Sequence, residues 1–207
     1  MNAKDLNDHI RRSLEILTES ADELRDLDQA LGDGDLGITI TAGSNAVVAE
    51  LDQLADGATP TEIARTCAKA FANANPSTMA ALVAGALLAG SRTWEGKDDI
   101  GLPEAAEFTT AAANSIAQRG KTQVGDKTIL DGIHAAAETL RSASDPGQAA
   151  AAVVDAAARA VEETRGLQSR RGRASWLQER SIGLADPGAT AFQRFVEAWS
   201  RVGEPSS

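Results

Sequence analysis

Three aspartates, Asp28, Asp33 and Asp35, fall within eight residues, in and around the glycine-rich run Gly32-Asp33-Gly34-Asp35-Leu36-Gly37. Ionised carboxylates this crowded repel one another unless a cation sits among them. Oxygen-only ligands at such density suit magnesium or calcium better than zinc. Magnesium keeps water and phosphate oxygens in its shell, so the spacing points to a magnesium-complexed polyphosphate, with a nucleotide supplying the remaining ligands. The glycines permit the tight turn that gathers the three side chains, and a helix starting near Ile38 would aim free amides at phosphate. The same spacing also describes an acidic surface turn in which Asp33 or Asp35 only caps a helix. An EF-hand is a poor match, because its terminal glutamate is missing.

A second element is Gly125-Asp126-Lys127-Thr128. A third runs from Gly172-Arg173-Ala174-Ser175-Trp176-Leu177, through Glu179-Arg180-Ser181-Ile182-Gly183, to Asp186-Pro187-Gly188-Ala189-Thr190. Arg165, Arg170, Arg171, Arg173 and Arg180 concentrate positive charge in one stretch of an acidic chain, and their forked donors match phosphate. They equally fit a solvated loop paired with surface acids. His9 and His134 read as helix-surface or packing residues, and Cys67 as a small core residue without a basic neighbour. Trp176 is expected to pack in the core beneath the arginine loop rather than to meet a partner. The chain carries no Ser-His-Asp arrangement and no Rossmann fingerprint.

These elements need a scaffold, and composition favours an all-α one: alanine dominates, tyrosine is absent, and β-branched residues do not alternate. Apolar residues at Leu6, Ile10, Leu14, Leu17, Leu24, Leu27 and Leu31 predict an amphipathic helix with a possible break near Ser20. Further helices are expected from about Ile38 to Leu54, Ile63 to Phe71, Met79 to Leu88, Glu104 to Gln118, Ile129 to Leu140, Ala149 to Thr164 and Thr190 to Arg201, eight in all. Ser77 or Thr78 would cap the fourth; Asp145-Pro146-Gly147 reads as a turn, residues 166–188 as irregular, and the tail 203–207 as frayed. With 207 residues and 43% hydrophobic content, one domain over 1–207 suffices. A formal charge of -10 argues against nucleic acid and anionic membranes as partners. The single cysteine and the polar N-terminus suit the cytoplasm, and the apolar run Met79 to Gly90 is too short to span a bilayer and reads as a buried helix.

The ordered set LDQALGDGDLG, GDKTILD and GRASWLQERSIGLADPGAT resembles the nucleotide-binding L subunit of dihydroxyacetone kinases across nearly the whole chain. The resemblance implies an all-α barrel of eight antiparallel helices with Mg-ADP or Mg-ATP at one end. It implies that Asp28, Asp33 and Asp35 hold magnesium, two ions, against the phosphates, and that Leu36, Gly37, Ile38, Thr39, Ser77, Thr78, Gly120, Ile129, Arg173, Asp186, Pro187 and Gly188 contact nucleotide. It further implies a separate K-type subunit that binds dihydroxyacetone or a tetrulose covalently through its own histidine, with either exchangeable ATP or a bound ADP recharged by a phosphocarrier protein of the phosphotransferase system. Two departures stand out: Leu36 and Thr39 replace the family's His and Asn, and Ala74-Asn75-Pro76-Ser77-Thr78 replaces a loop with consecutive glycines. Proline has no amide to donate, so this loop must meet phosphate through Ser77 or Thr78 hydroxyls. A non-catalytic nucleotide-sensing or regulator-docking module and an acidic calcium-binding helical protein are the competing readings.

Overall fold

Each stretch of helical periodicity becomes helix in the computed structural model, which describes residues 1–203. Nine α-helices result among them: α1 (Ala3–Thr18), α2 (Ala21–Leu31), α3 (Leu36–Asp52), α4 (Pro60–Ala74), α5 (Thr78–Ser91), α6 (Leu102–Gly120), α7 (Ile129–Ser142), α8 (Pro146–Arg165) and α9 (Pro187–Gly203). Two 3-10 segments, Arg92–Trp94 and Arg173–Ser181, complete the element order, and no strand occurs among the described residues beyond an isolated bridge between Asn2 and Asp99. The expected first helix is broken at Glu19-Ser20, where both amides turn back on carbonyls three residues earlier. The tail expected to fray lies, beyond Gly203, outside the described residues.

From α2 onward each helix packs on the next in sequence, and α9 closes the ring onto α1, which packs on α3 rather than on α2. With α1 and α2 counted as one interrupted stave, the ring has the expected eight. Short connections force neighbours antiparallel. Leu6, Leu14, Leu17 and Leu24 meet Ile40, Val47, Leu51, Ile63 and Phe71 in the largest apolar cluster; Ile116, Leu130 and Ile133 form a second on the opposite side. Burying a leucine or isoleucine is worth about 1.5–3 kcal/mol, so these stripes, rather than propensity, hold the ring. Ala149, Ala156, Ala157 and Ala160 bury the small-residue face of α8.

Several helices begin earlier than periodicity suggests, because their first turns are written in capping chemistry. Thr59 and Glu62 form a reciprocal capping box ahead of Pro60. Asp145 caps α8 by accepting from the Gly147 amide at 2.8 Å, so Pro146 and Gly147 belong to its first turn, correcting the expected turn. Pro187 and Gly188 likewise open α9 instead of forming a loop. The run around α5 is buried only on its Ala/Gly face, leaving Leu88 41% exposed, and no helix among the described residues is long and apolar enough to cross a membrane.

Candidate nucleotide and metal site

The end of α2 and the turn beyond it bring Asp28, Asp33 and Asp35 together: one carboxylate oxygen from each lies within 4.8 Å of the others. Gly34 makes the bend possible by adopting φ +76°, a conformation strained for any residue with a Cβ. Asp35 occupies the N-cap position of α3 yet makes no capping bond, so the helix-cap reading fails for it. Asp28 does that job from the neighbouring helix, its Oδ2 accepting from the Leu36 amide at 3.2 Å. The Gly37 and Ile38 amides at the start of α3 find no acceptor among the described residues. Three half-buried or exposed carboxylates facing one another, at the positive end of a helix dipole, are a donor set that fits a hard divalent cation and its phosphate ligands.

Other segments converge on the same end. Asn75 donates from Nδ2 to Thr39 Oγ1 at 3.0 Å, binding the α4–α5 loop to the first turn of α3. Ser77 caps α5 by accepting from the Ala80 amide at 3.1 Å, which leaves its own proton and the exposed Thr78 hydroxyl for a ligand. A side chain placed on Gly188 would meet Met79 Cε at 3.1 Å and Ile129 Cβ at 3.2 Å, so the starts of α5, α7 and α9 adjoin. Gly120 ends α6 next to Leu82 of α5, and Arg173 pairs with Asp33 across from the loop after α8. Thus every site residue expected from sequence lies at this one end, on α2 and its turn, the starts of α3, α5, α7 and α9, the end of α6, or the arginine loop.

The arginines split between the two readings open to them. Arg165 pairs with exposed Glu162, as a solvated loop would have it; Arg171 pairs with buried Asp126 at 3.1 Å, and Arg173 with the triad. Trp176 corrects the expectation of core packing: it is 79% exposed. In the span 166–182 only Ser169 and Ser181 are buried, so the loop is held by polar bonds and offers no apolar recess for an indole. Ile38, Val124, Leu167 and Ile182 are exposed as well, giving this end an apolar fringe.

Behind the mouth lies a polar cluster that spacing alone did not assign. Asp131 accepts from the Gly125 and Thr128 amides at 2.6 and 2.7 Å, forming the capping box of α7. Burial pushes Asp126 up, but the Gln123 amide, Arg171 and the Thr122 hydroxyl outweigh it and hold the carboxyl below its ordinary value. Asp186 caps α9 through the Ala189 amide at 2.7 Å; burial, reinforced by Asp131 and opposed by that amide and Lys127, pushes it up to about 7. Burial pulls Lys127 down from the usual lysine value, with Asp186 opposing and Arg165 assisting. The GDKT run contained the signal, an acid beside a lysine in an otherwise glycine-flanked turn. Its partners were invisible because they are carbonyls far along the chain. Burial pushes the Cys67 thiol up to about 12, which makes it inert, and half-buried His9 packs on Trp199.

The sequence profile of the DAK2 domain matches residues 30–201. The chain belongs to the DAK2 domain family. It is 28% identical over 192 residues to the ADP-binding subunit DhaL of the PEP-dependent dihydroxyacetone kinase of Escherichia coli K12, covering 91% of each chain. It is 32% identical over 177 residues to the ADP-binding subunit DhaL of PEP-dependent dihydroxyacetone kinase 1 of Listeria innocua, covering 84% of each. To the L-erythrulose 1-kinase of Mycolicibacterium smegmatis it is 30% identical over 187 residues, 89% of this chain but 33% of that protein. The crystal structure of the dihydroxyacetone kinase from C. freundii in complex with AMP-PNP and Mg2+ superposes with a TM-score of 0.75 at 18% identity, covering 97% of this chain and 34% of that one. The chain therefore spans the length of the separate DAK2 subunits and about a third of the longer kinases. Its all-helical ring is the fold of this kinase family.

Proposed function

We propose that this chain is the nucleotide-binding subunit of a dihydroxyacetone-type ketose kinase, working as one domain over 1–207 with a separate K-type subunit that holds dihydroxyacetone or a tetrulose. The observation that carries the reading is the convergence of three carboxylates, without a structural task for Asp35, on the free amides at the start of α3. Magnesium, as two ions, and ATP or ADP would supply charge neutralisation and the transferable phosphoryl group. Asp28, Asp33 and Asp35 would hold the cations. Gly37 and Ile38 would offer free amides, and Ser77 and Thr78 hydroxyls, to the phosphates; Leu36 and Thr39 would complete that turn, while Gly120, Ile129 and the Asp186-Pro187-Gly188 start of α9 shape the remainder of the pocket. Arg173 would orient the phosphates with its forked guanidinium. No residue here need act as general base, since loose phosphoryl transfer depends mainly on alignment and charge. The apolar fringe of Ile38, Val124, Trp176 and Ile182 around this mouth supports a protein partner that covers it during transfer.

The test is reconstitution: the chain, a K-type subunit, Mg-ATP and dihydroxyacetone should yield phosphorylated ketose, and Asp33→Asn should abolish turnover. Full activity in that variant removes the metal assignment. The loss of the family's His at Leu36 and of its glycine loop favours exchangeable ATP, and a tetrulose such as erythrulose, over ADP recharged by a phosphocarrier. Stoichiometric ADP retained through gel filtration would reverse that preference.

A further inference from the structure

Lys127 is 1% exposed, and a buried ammonium is costly unless its protons are matched. Its Nζ donates to three carbonyls: Arg165 at 3.2 Å, Leu167 at 2.9 Å and Ser181 at 2.7 Å. Arg165 ends α8, Leu167 starts the loop that follows, and Ser181 ends that loop's 3-10 segment. One side chain from the α6–α7 turn therefore cinches both ends of the arginine loop. The neck is reinforced by the Gly183 amide on Arg165 O at 2.8 Å and the Ser169 amide on Ser181 Oγ at 2.9 Å. Adjacent Asp126 pins the loop's shoulder, its carbonyl accepting from the Arg170 amide at 3.1 Å and its carboxylate from Arg171 Nε at 3.1 Å. Beyond Arg171, the ion pair from Arg173 to Asp33 ties the loop to the end of α2.

The loop buries no large apolar side chain, so packing does not set where Arg173 stands. We propose that Lys127 is a positioning residue for nucleotide: by closing the neck of the loop 166–182 it sets Arg173 against the phosphate end of the site. This rests on the nucleotide role proposed for Arg173. A lysine used only for stability would be an expensive choice, because apolar replacements of buried charges often stabilise.

The test uses the full chain, Mg-ADP calorimetry and amide hydrogen exchange. Lys127→Met should bind Mg-ADP about tenfold more weakly, with faster exchange at Ser169, Arg170, Ile182 and Gly183 and unchanged protection in α3 to α6. The double variant Lys127→Met/Arg173→Ala should bind no more weakly than Arg173→Ala, because both changes disable one contact. Wild-type affinity in Lys127→Met, losses that multiply in the double variant, or protection lost throughout the ring would each overturn the inference. Should Lys127→Met not fold, Ser181→Ala loosens the same neck from the loop side: it should weaken Mg-ADP severalfold, and wild-type affinity with wild-type exchange there overturns the idea equally. A wild-type chain that takes up no Mg-ADP sinks the proposed function; a binding wild type matched by its neck variants sinks this inference alone.

Discussion

Two trios of aspartate share one end of the ring and differ in what answers their charge. Asp126, Asp131 and Asp186 are buried, and each has internal donors: backbone amides for all three, Arg171 for Asp126, and nearby Lys127 for Asp186. Asp28, Asp33 and Asp35 stand at the surface with their oxygens facing one another, answered by one amide, that of Leu36, and one guanidinium, that of Arg173. The first trio is finished when the chain folds. The second is left with unmet acceptor capacity, and only something from outside can complete it. Under the proposed function, this difference, more than acidic density along the sequence, separates the metal-holding trio from the structural one.

The comparison breaks most sharply on Asp35→Asn. Asp35 makes no capping bond, so under the proposed metal role the change removes a ligand without removing support from the helix behind it. Phosphoryl transfer in the reconstituted kinase should fall by about 100-fold or more, while the melting temperature holds or rises as repulsion within the trio is relieved. Coupled assay and calorimetry on the same preparation read both. Lost stability together with lost activity would make the two trios alike.

Asp131→Ala is the reciprocal change. It strands the Gly125 and Thr128 amides and should cost about 2–3 kcal/mol of stability, read as a lower urea midpoint with unchanged slope. Equal stability would mean that solvent replaces the capping box without loss.

The helices were legible because their apolar periods are regular and their caps lie within three residues: Thr59 with Glu62 and Thr128 with Asp131 are local grammar. The acidic trio was legible for the same reason, being confined to eight residues around glycines. What stayed hidden depends on contacts between distant segments. Lys127 looks like a surface lysine until Arg165, Leu167 and Ser181 supply its acceptors, 38 to 54 residues away. Trp176 looks like core until its loop proves to be held by backbone bonds rather than by packing. The break at Ser20 was visible as a lapse in the apolar pattern, whereas the early starts of α8 and α9 were masked by prolines that read equally well as turns.

A smaller effect follows from pH. Asp186 keeps its proton up to about 7 in the folded chain but loses it near 3.8, the ordinary value, when unfolded. Between those limits the native state binds more protons, so this group's contribution to stability is full below about pH 4 and lost as pH rises through 7. Asp186→Asn should flatten that part of the stability profile, and a variant whose pH dependence parallels the wild type would show that Lys127 and the Ala189 amide already keep the carboxylate ionised.

The smallest change probes the seam between the exposed trio and the loop carrying Ser77. Thr39 Oγ1 accepts from Asn75 Nδ2 at 3.0 Å, and Thr39 is 1% exposed, so Asn75→Ala leaves a buried hydroxyl without its donor. That bond ties a proline-containing loop, which cannot offer an amide at Pro76, to the first turn of α3 at the residue two before Ser77. A double-mutant cycle of Thr39→Val with Asn75→Ala should give a coupling of about 1 kcal/mol in Mg-ADP affinity. A coupling that appears in stability but not in affinity would separate the loop from the site, leaving Ser77 as a helix cap and placing phosphate recognition on α3 and Arg173 alone.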